Sequence, residues 1–435
     1  MNKKFIFFIF ILLLNNCSFD TKSKLWTKSE NIKKEKISKV KDIFIEKEIL
    51  EKEFNSNIKI KLKSKFTKDS FINNLTNNNG YLNFGGDLKK ISKYKFSKIK
   101  EYDFSQPELL FTEDNSLIFF DNKGSILKFD ENSKLIWKKN YYKKNEKKLN
   151  PILYFTANNE KLIVVDNLAN MYAIDIFSGN LIWKKSNVAP FNSQIKIYDS
   201  MFFSIDFNNV IRCISVENGK EIWKFVTENS FIKSQQKLSL IIKDNKVIFM
   251  NSLGDISALE MQTGSLIWQT PTQSTSVYED AFSLKNSDIV LRNNSIYFSN
   301  NKNEFYALDF KTGSIKWKQN VNSNLRPTII EKLIFTISEE GYLIIIDSIN
   351  GGIIRSTSLF KNYKKLNNSK FKTVGFIVAK EKIYLSLDNG YILKIKIENG
   401  KTEDLIKIAK NKISRPYIAN QNMYIVRNNA ILKIN

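Results

Sequence analysis

The chain has 435 residues, with 68 Lys and Arg against 44 Asp and Glu, a formal net charge of +24 and no histidine. Without histidine, His-based triads, imidazole acid–base chemistry and most transition-metal sites are excluded. The surplus of cations would suit nucleic acid, but the lysines are scattered and flank strand ends, and the export signal read below removes that partner.

Residues 1–16 read as a signal peptide: Lys3 and Lys4 precede about ten apolar residues, too short a run to span a bilayer as a mature helix. Cys17 follows directly, with Leu14 in the apolar position of a lipoprotein cleavage site and Asn16 as a departure from the usual small residue. The pattern predicts that Cys17 is acylated and anchors the chain to a membrane. Ser18 after it, rather than Asp, resembles an outer-membrane address. Residues 17–65 are rich in Lys and Glu and read as a tether; within it, residues 31–54 carry helix-like apolar spacing at Ile37, Val40, Ile43 and Phe44. Asparagine and glycine dominate residues 66–87, as in loops.

From there to the C-terminus one phrase recurs. Residues 303–318 (NEFYALDFKTGSIKWK) read as two strands around a tight turn, and sister copies lie at 171–184, 210–224 and 256–269. In these copies Gly179, Gly219, Gly264 and Gly313 each stand four residues before a tryptophan: Trp183, Trp223, Trp268 and Trp317. An earlier copy at 125–137 has a turn one residue shorter, with Lys134 in the glycine slot. Later copies at 343–355 and 392–403 keep Gly351 and Gly400 and lose the tryptophan. The equivalent turn positions 130, 175, 215, 260, 309, 347 and 396 lie 38 to 49 residues apart, the period of propeller blades. Pro107, Pro151, Pro327 and Pro416 stand where inner strands begin, a position that tolerates a missing N–H donor. The last unit has three strands before the chain ends, so residues 90–97 are expected to supply the fourth. The predicted fold is therefore all-β: an eight-bladed β-propeller of four-stranded antiparallel blades over residues 66–435, the last blade closed by N- and C-terminal strands, leaving no bare edge at the seam.

The repeat also accounts for residues that could pass for chemistry. Cys213 fills the slot of Ala173, Ala258 and Ala307 and reads as a small buried residue. Asp130, Asp175, Asp309 and Asp347 recur at one turn position and read as turn acceptors. Gly400-Lys401-Thr402 mimics the end of a phosphate-binding loop, but Ile395 stands where its first glycine is required. No catalytic, metal or cofactor site is predicted.

The phrase Ala307-Leu308-Asp309, Thr312-Gly313, Trp317 resembles the repeat of pyrroloquinoline-quinone-type propellers. Two families carry it on eight-bladed rings: the quinoprotein alcohol and glucose dehydrogenases, and the non-catalytic BamB lipoproteins of the outer-membrane β-barrel assembly machinery. The chain lacks the vicinal cysteine pair of the alcohol dehydrogenases, and no inward cluster of acidic and amide ligands for quinone and Ca²⁺ can be assigned. With the lipobox-like start, it is similar to BamB; a quinone-dependent dehydrogenase is the alternative. The BamB resemblance implies a periplasmic scaffold, lipid-anchored at the outer membrane, that binds the barrel-inserting subunit BamA and assists insertion of unfolded outer-membrane proteins. It places the partner contact in loops after the third and fourth blade tryptophans. Here those are residues 228–236 and 274–288, where Phe231, Ile232 and Lys233 resemble an apolar-plus-basic patch and Asp280 and Asp288 its acidic counterpart.

Overall fold

The Asp-to-Gly turns of the repeat are held by their own side chains. Asp175 Oδ1 accepts the Ser178 N–H (2.7 Å), and Asp309 Oδ1 accepts the N–H groups of Lys311 (2.8 Å) and Thr312 (3.1 Å). Asp130 and Asp347 do the same work in their turns, so the recurring aspartates are turn acceptors. In the shorter turn of the first unit the left-handed residue is Ser133 (φ 65°), one position before the Lys134 expected in the glycine slot.

These turns join the third and fourth strands of blades. The computed structural model describes residues 50–435 apart from 51, 68–73, 100–107, 159, 229–235, 273–282, 362 and 364–370. Its sheets are the blades of an eight-bladed β-propeller, each of four antiparallel strands in chain order from the channel outward. Blades one to seven span residues 110–139, 153–186, 196–226, 240–270, 290–319, 328–358 and 373–407. Blade eight takes three strands from the C-terminus (Tyr417–Ala419, Asn422–Arg427, Ala430–Ile434) and its outer strand, Lys90–Lys95, from upstream of blade one. The closure expected from the sequence is the one observed. Middle strands such as Lys161–Asp166 are covered on both faces by neighbouring blades, so they read as continuous apolar runs. Outer strands such as Leu181–Ser186 are largely exposed. Among the described residues no helix is long and apolar enough to cross a membrane.

The Gly–Trp phrase joins one blade to the next. Trp137, Trp183, Trp223, Trp268 and Trp317 each donate the indole N–H to a backbone carbonyl of the following blade: Ile176, Val216, Met261, Phe310 and Ser348, at 2.9 to 3.3 Å. That carbonyl always belongs to the residue after the turn's first position. The glycine of the same turn lies under the incoming ring: a Cβ on Gly313 would sit 2.4 Å from Trp268 Cε3, and its φ of +74° is itself left-handed. The glycine and the tryptophan of one phrase thus serve two different junctions. Cys213 pairs across the strands with Trp223 and is fully buried; burial pushes its thiol up to about 12, so it is inert.

Two junctions lack tryptophan yet keep the same acceptor. Arg355, fully buried in blade six, donates to Ile397 O (2.9 Å) and Glu398 O (2.7 Å) of blade seven. Tyr94, in the upstream strand of blade eight, donates its hydroxyl to Glu131 O of blade one (3.1 Å). Between blades seven and eight no such acceptor is found among the described residues, because the third and outer strands of blade eight, Ala430–Ile434 and Lys90–Lys95, are not joined by a turn.

The segment upstream of Lys90 is laced onto the ring. Phe54 bridges Ser356 of blade six, Ile58 O accepts from Arg355, Ile60 N–H donates to Glu398 O, and Glu331 receives the N–H groups of Lys63 and Ser64. The described part of the residues read as a tether therefore lies against blades six and seven. Tyr81–Leu82 then adds a parallel strand inside blade seven, making that sheet five-stranded.

Candidate functional site: the charged channel and the open rim

Inner strands line the channel, so a position repeated in every blade becomes a ring around it. Four residues before the last residue of each inner strand stand Gln194, Ser239, Asp288, Arg326, Gly375 and Arg415 in blades three to eight. Arg326 Nε donates to Asp288 Oδ2 (2.7 Å), and Arg415 Nη1 lies 3.7 Å from the same oxygen. Glu108, at the start of blade one, takes Arg415 Nη2 (2.8 Å) and Lys237 Nζ (2.6 Å), with Arg326 Nη2 at 3.6 Å. Arg415 Nε donates to Tyr417 Oη at 3.0 Å. Burial would push the carboxyl of Glu108 up, but Lys237, Arg415 and Arg326 hold it well below its usual range. Asp288 is likewise lowered: burial opposes its charge, and Arg326, Lys237 and Arg415 overcome that.

The end of the channel where the inner strands finish is occupied by the chain's own residues 74–80. Leu75 O accepts Ile242 N–H and Thr76 O accepts Leu291 N–H, both at 2.9 Å, and Asn78 exchanges two bonds with Ile329. The Asn77 amide lies within hydrogen-bond distance of Gln194 Oε1 (2.9 Å), Ile289 O (3.0 Å) and Leu240 O (3.2 Å), tying blades three, four and five. Lys196 donates to Asn77 Oδ1 (2.8 Å) and to Asn74 O, both neutral acceptors. Burial, then the charge of Arg326, lowers the Lys196 ammonium to about 7.

Of the site residues read from sequence, Cys17, Phe231, Ile232, Lys233 and Asp280 lie outside the described residues. Asp288 is described, and it faces the channel, bound to Arg326 and Arg415. Sequence reading missed Glu108, Lys196, Lys237, Arg326 and Arg415. One signal was available. The chain has only six arginines among its 68 cations, and two of them precede proline at equivalent blade positions, Arg326-Pro327 and Arg415-Pro416. A chain that uses lysine almost everywhere keeps arginine where a planar, multiply donating cation is needed. Arg212, buried against Asp206 and Glu221, and Arg355 follow the same rule.

The second surface is the rim. Blades one to five each end in an outer strand with no further strand beyond it among the described residues. Beside four of the five tryptophans these strands expose Ile136 (49%), Ile182 (45%), Ile222 (49%) and Ile267 (42%), with Leu135, Leu181 and Leu266 next to three of them; in blade five Ile315 is exposed two residues before Trp317. An open edge with apolar neighbours is a template for an added strand.

A model of the family described as outer membrane protein assembly factor BamB matches residues 122–357, more than half of the chain. The chain belongs to that family. Among solved structures it is similar to BamB from Moraxella catarrhalis, at 13% identity and a TM-score of 0.63, over 80% of this chain and 100% of that one. It is also similar to a europium-containing methanol dehydrogenase (9% identity, TM-score 0.66, 83% of this chain and 90% of that one). A third is the quinohemoprotein alcohol dehydrogenase from Comamonas testosteroni (9%, TM-score 0.62, 81% and 78%). At these identities the likeness is one of fold. No curated protein sequence matches.

The dehydrogenase fold implies a quinone with a metal ion in the channel, and the residues present do not fit that metal. Among the described residues no group of three or more His, Cys, Asp or Glu side chains could hold an ion. The channel carboxylates Glu108 and Asp288 are already committed to three cations, and a hard dication needs several oxygens free of such neighbours.

Proposed function

We propose that the chain is a non-catalytic, periplasmic scaffold of the outer-membrane β-barrel assembly machinery, anchored by acylated Cys17. It binds the barrel-inserting subunit and holds unfolded outer-membrane clients. The observation that carries this reading is the rim: five consecutive blades offer open outer edges with exposed Leu and Ile, a surface that suits extended chains before they enter a barrel. Family membership supports the same reading. The barrel-inserting subunit docks on the loops after blades three and four, through Phe231, Ile232 and Lys233 with Asp280. Asp288, the last residue of the second stretch, is paired with Arg326 and Arg415.

Co-purification from solubilised envelopes tests the partner. The wild-type chain is expected to bring down the barrel-inserting subunit, and Lys233→Glu to lose most of it; retention by Lys233→Glu overturns the patch. Site-specific cross-linkers at 182 and 222 are expected to trap unfolded barrel clients, and their silence removes the rim from the mechanism. Label from a palmitate analogue is expected on the wild type and lost in Cys17→Ala.

A further inference from the structure

We propose that the channel mouth where the inner strands begin is a binding site for a small, doubly charged oxyanion such as phosphate or a polycarboxylate. A cavity of about 230 Å³ opens there, walled by Lys237, Asp288, Arg326 and Arg415. At its rim stand the exposed residues Lys285, Lys372 and Lys412, with one further carboxylate, Asp388.

Charge is the first argument. Lys237, Arg326 and Arg415 surround Glu108 and Asp288, so three cations face two carboxylates, and Lys196, lowered to about 7, is a fourth that a bound anion would hold protonated. Lys196 has no carboxylate in contact and leans on amide oxygens alone. A dianion would bring the cluster to neutrality in a confined, low-dielectric space, where pairing is strong.

Geometry is the second. Among the described residues none of the hydrogen bonds of Arg326 uses Nη1, leaving one arm of a guanidinium whose plane is already fixed by Asp288. Such a pre-oriented N–H₂ suits a charge-assisted bond to one oxygen of a phosphate or carboxylate. Asn79, at the end of the plugging segment, is 4% exposed and also lines the cavity; its Oδ1 has no hydrogen-bond partner. The two ends of an amide interchange by rotation, so Asn79 can turn its N–H₂ to an anion. The rim lysines raise the local concentration of anions at the mouth. This reading concerns the channel and stands apart from the proposed docking at the loops and rim.

Titration calorimetry of the purified chain with inorganic phosphate, and separately with citrate, tests it at constant ionic strength. Saturable one-to-one binding of either is expected, weakened about tenfold or more in Arg326→Gln, which loses a charge-assisted contact, and in Arg415→Gln, which loses a cation of the cluster. Should those variants fail to fold, the exposed Lys412→Gln is decisive: a fall of about twofold or more is expected from a lost rim charge. Heat that does not saturate, or equal affinity in wild type and Lys412→Gln, overturns the site. Neither result touches co-purification with the barrel-inserting subunit.

Discussion

The five junctions between blades one and six are closed by tryptophan, whereas those between six and seven and between eight and one use Arg355 and Tyr94. All seven donors reach the same carbonyl of the next turn. What seven of the eight junctions share is therefore a donor at that point, and the large ring over the glycine is an addition that five of them have. A tryptophan contributes apolar burial and one neutral bond. Arg355 instead satisfies three carbonyls, of Ile58, Ile397 and Glu398, and so also ties down the upstream segment.

The comparison can be broken most severely at the tryptophans. Trp268→Ala removes a buried indole over Gly313 and is expected to lower unfolding free energy by about 3–5 kcal/mol in denaturant titration. Arg355→Ala should cost about 2–3 kcal/mol, because a charged donor is lost and buried carbonyls are orphaned. Arg355→Trp sharpens the contrast: it is expected to recover part of that loss, since Ile397 O regains a donor, while Ile58 O does not. Tyr94→Phe deletes one hydroxyl bond and should cost about 1 kcal/mol. Least affected in stability is Ile182→Ser, expected within about 0.5 kcal/mol for an exposed side chain, even as client cross-linking falls.

The channel cluster responds to pH rather than to packing. Glu108 and Asp288 have folded-state pKa values below their ordinary 4.5 and 3.8, so they stabilise the fold fully above that range and lose the contribution as pH falls below it. Denaturant midpoints between neutrality and pH 3 should drop more steeply in the wild type than in Glu108→Gln, where that linkage is gone.

The ring was legible because its information is periodic. Turn aspartate, glycine and tryptophan recur at fixed offsets, and a last unit short of one strand implied the borrowed Lys90–Lys95. What was not legible is what periodicity hides. The channel positions hold five residue types in six blades, so aligning the repeats reveals nothing beyond the shared Arg-Pro of blades six and eight, and their charges meet only when the ring closes. Blade six looked like a weakened copy because Trp had been lost; that Arg355 meets the same carbonyl depends on a fold-level contact. Residues 74–80 read as loop because asparagine and glycine are loop formers. Their fit to four inner strands comes from amide side chains imitating backbone, which no strand pattern encodes.

The seam of the ring sets the timing of its assembly. Lys90 finds its partner in Ile434, so a strand made early in synthesis waits for one 344 residues further along before it can pair. Contacts this distant in sequence are slow to form, and until they do the nascent protein carries an unclosed sheet at each side of the gap. Until Lys90–Lys95 and Ala430–Ile434 meet, the ring therefore needs protection against stray strand pairing at its seam.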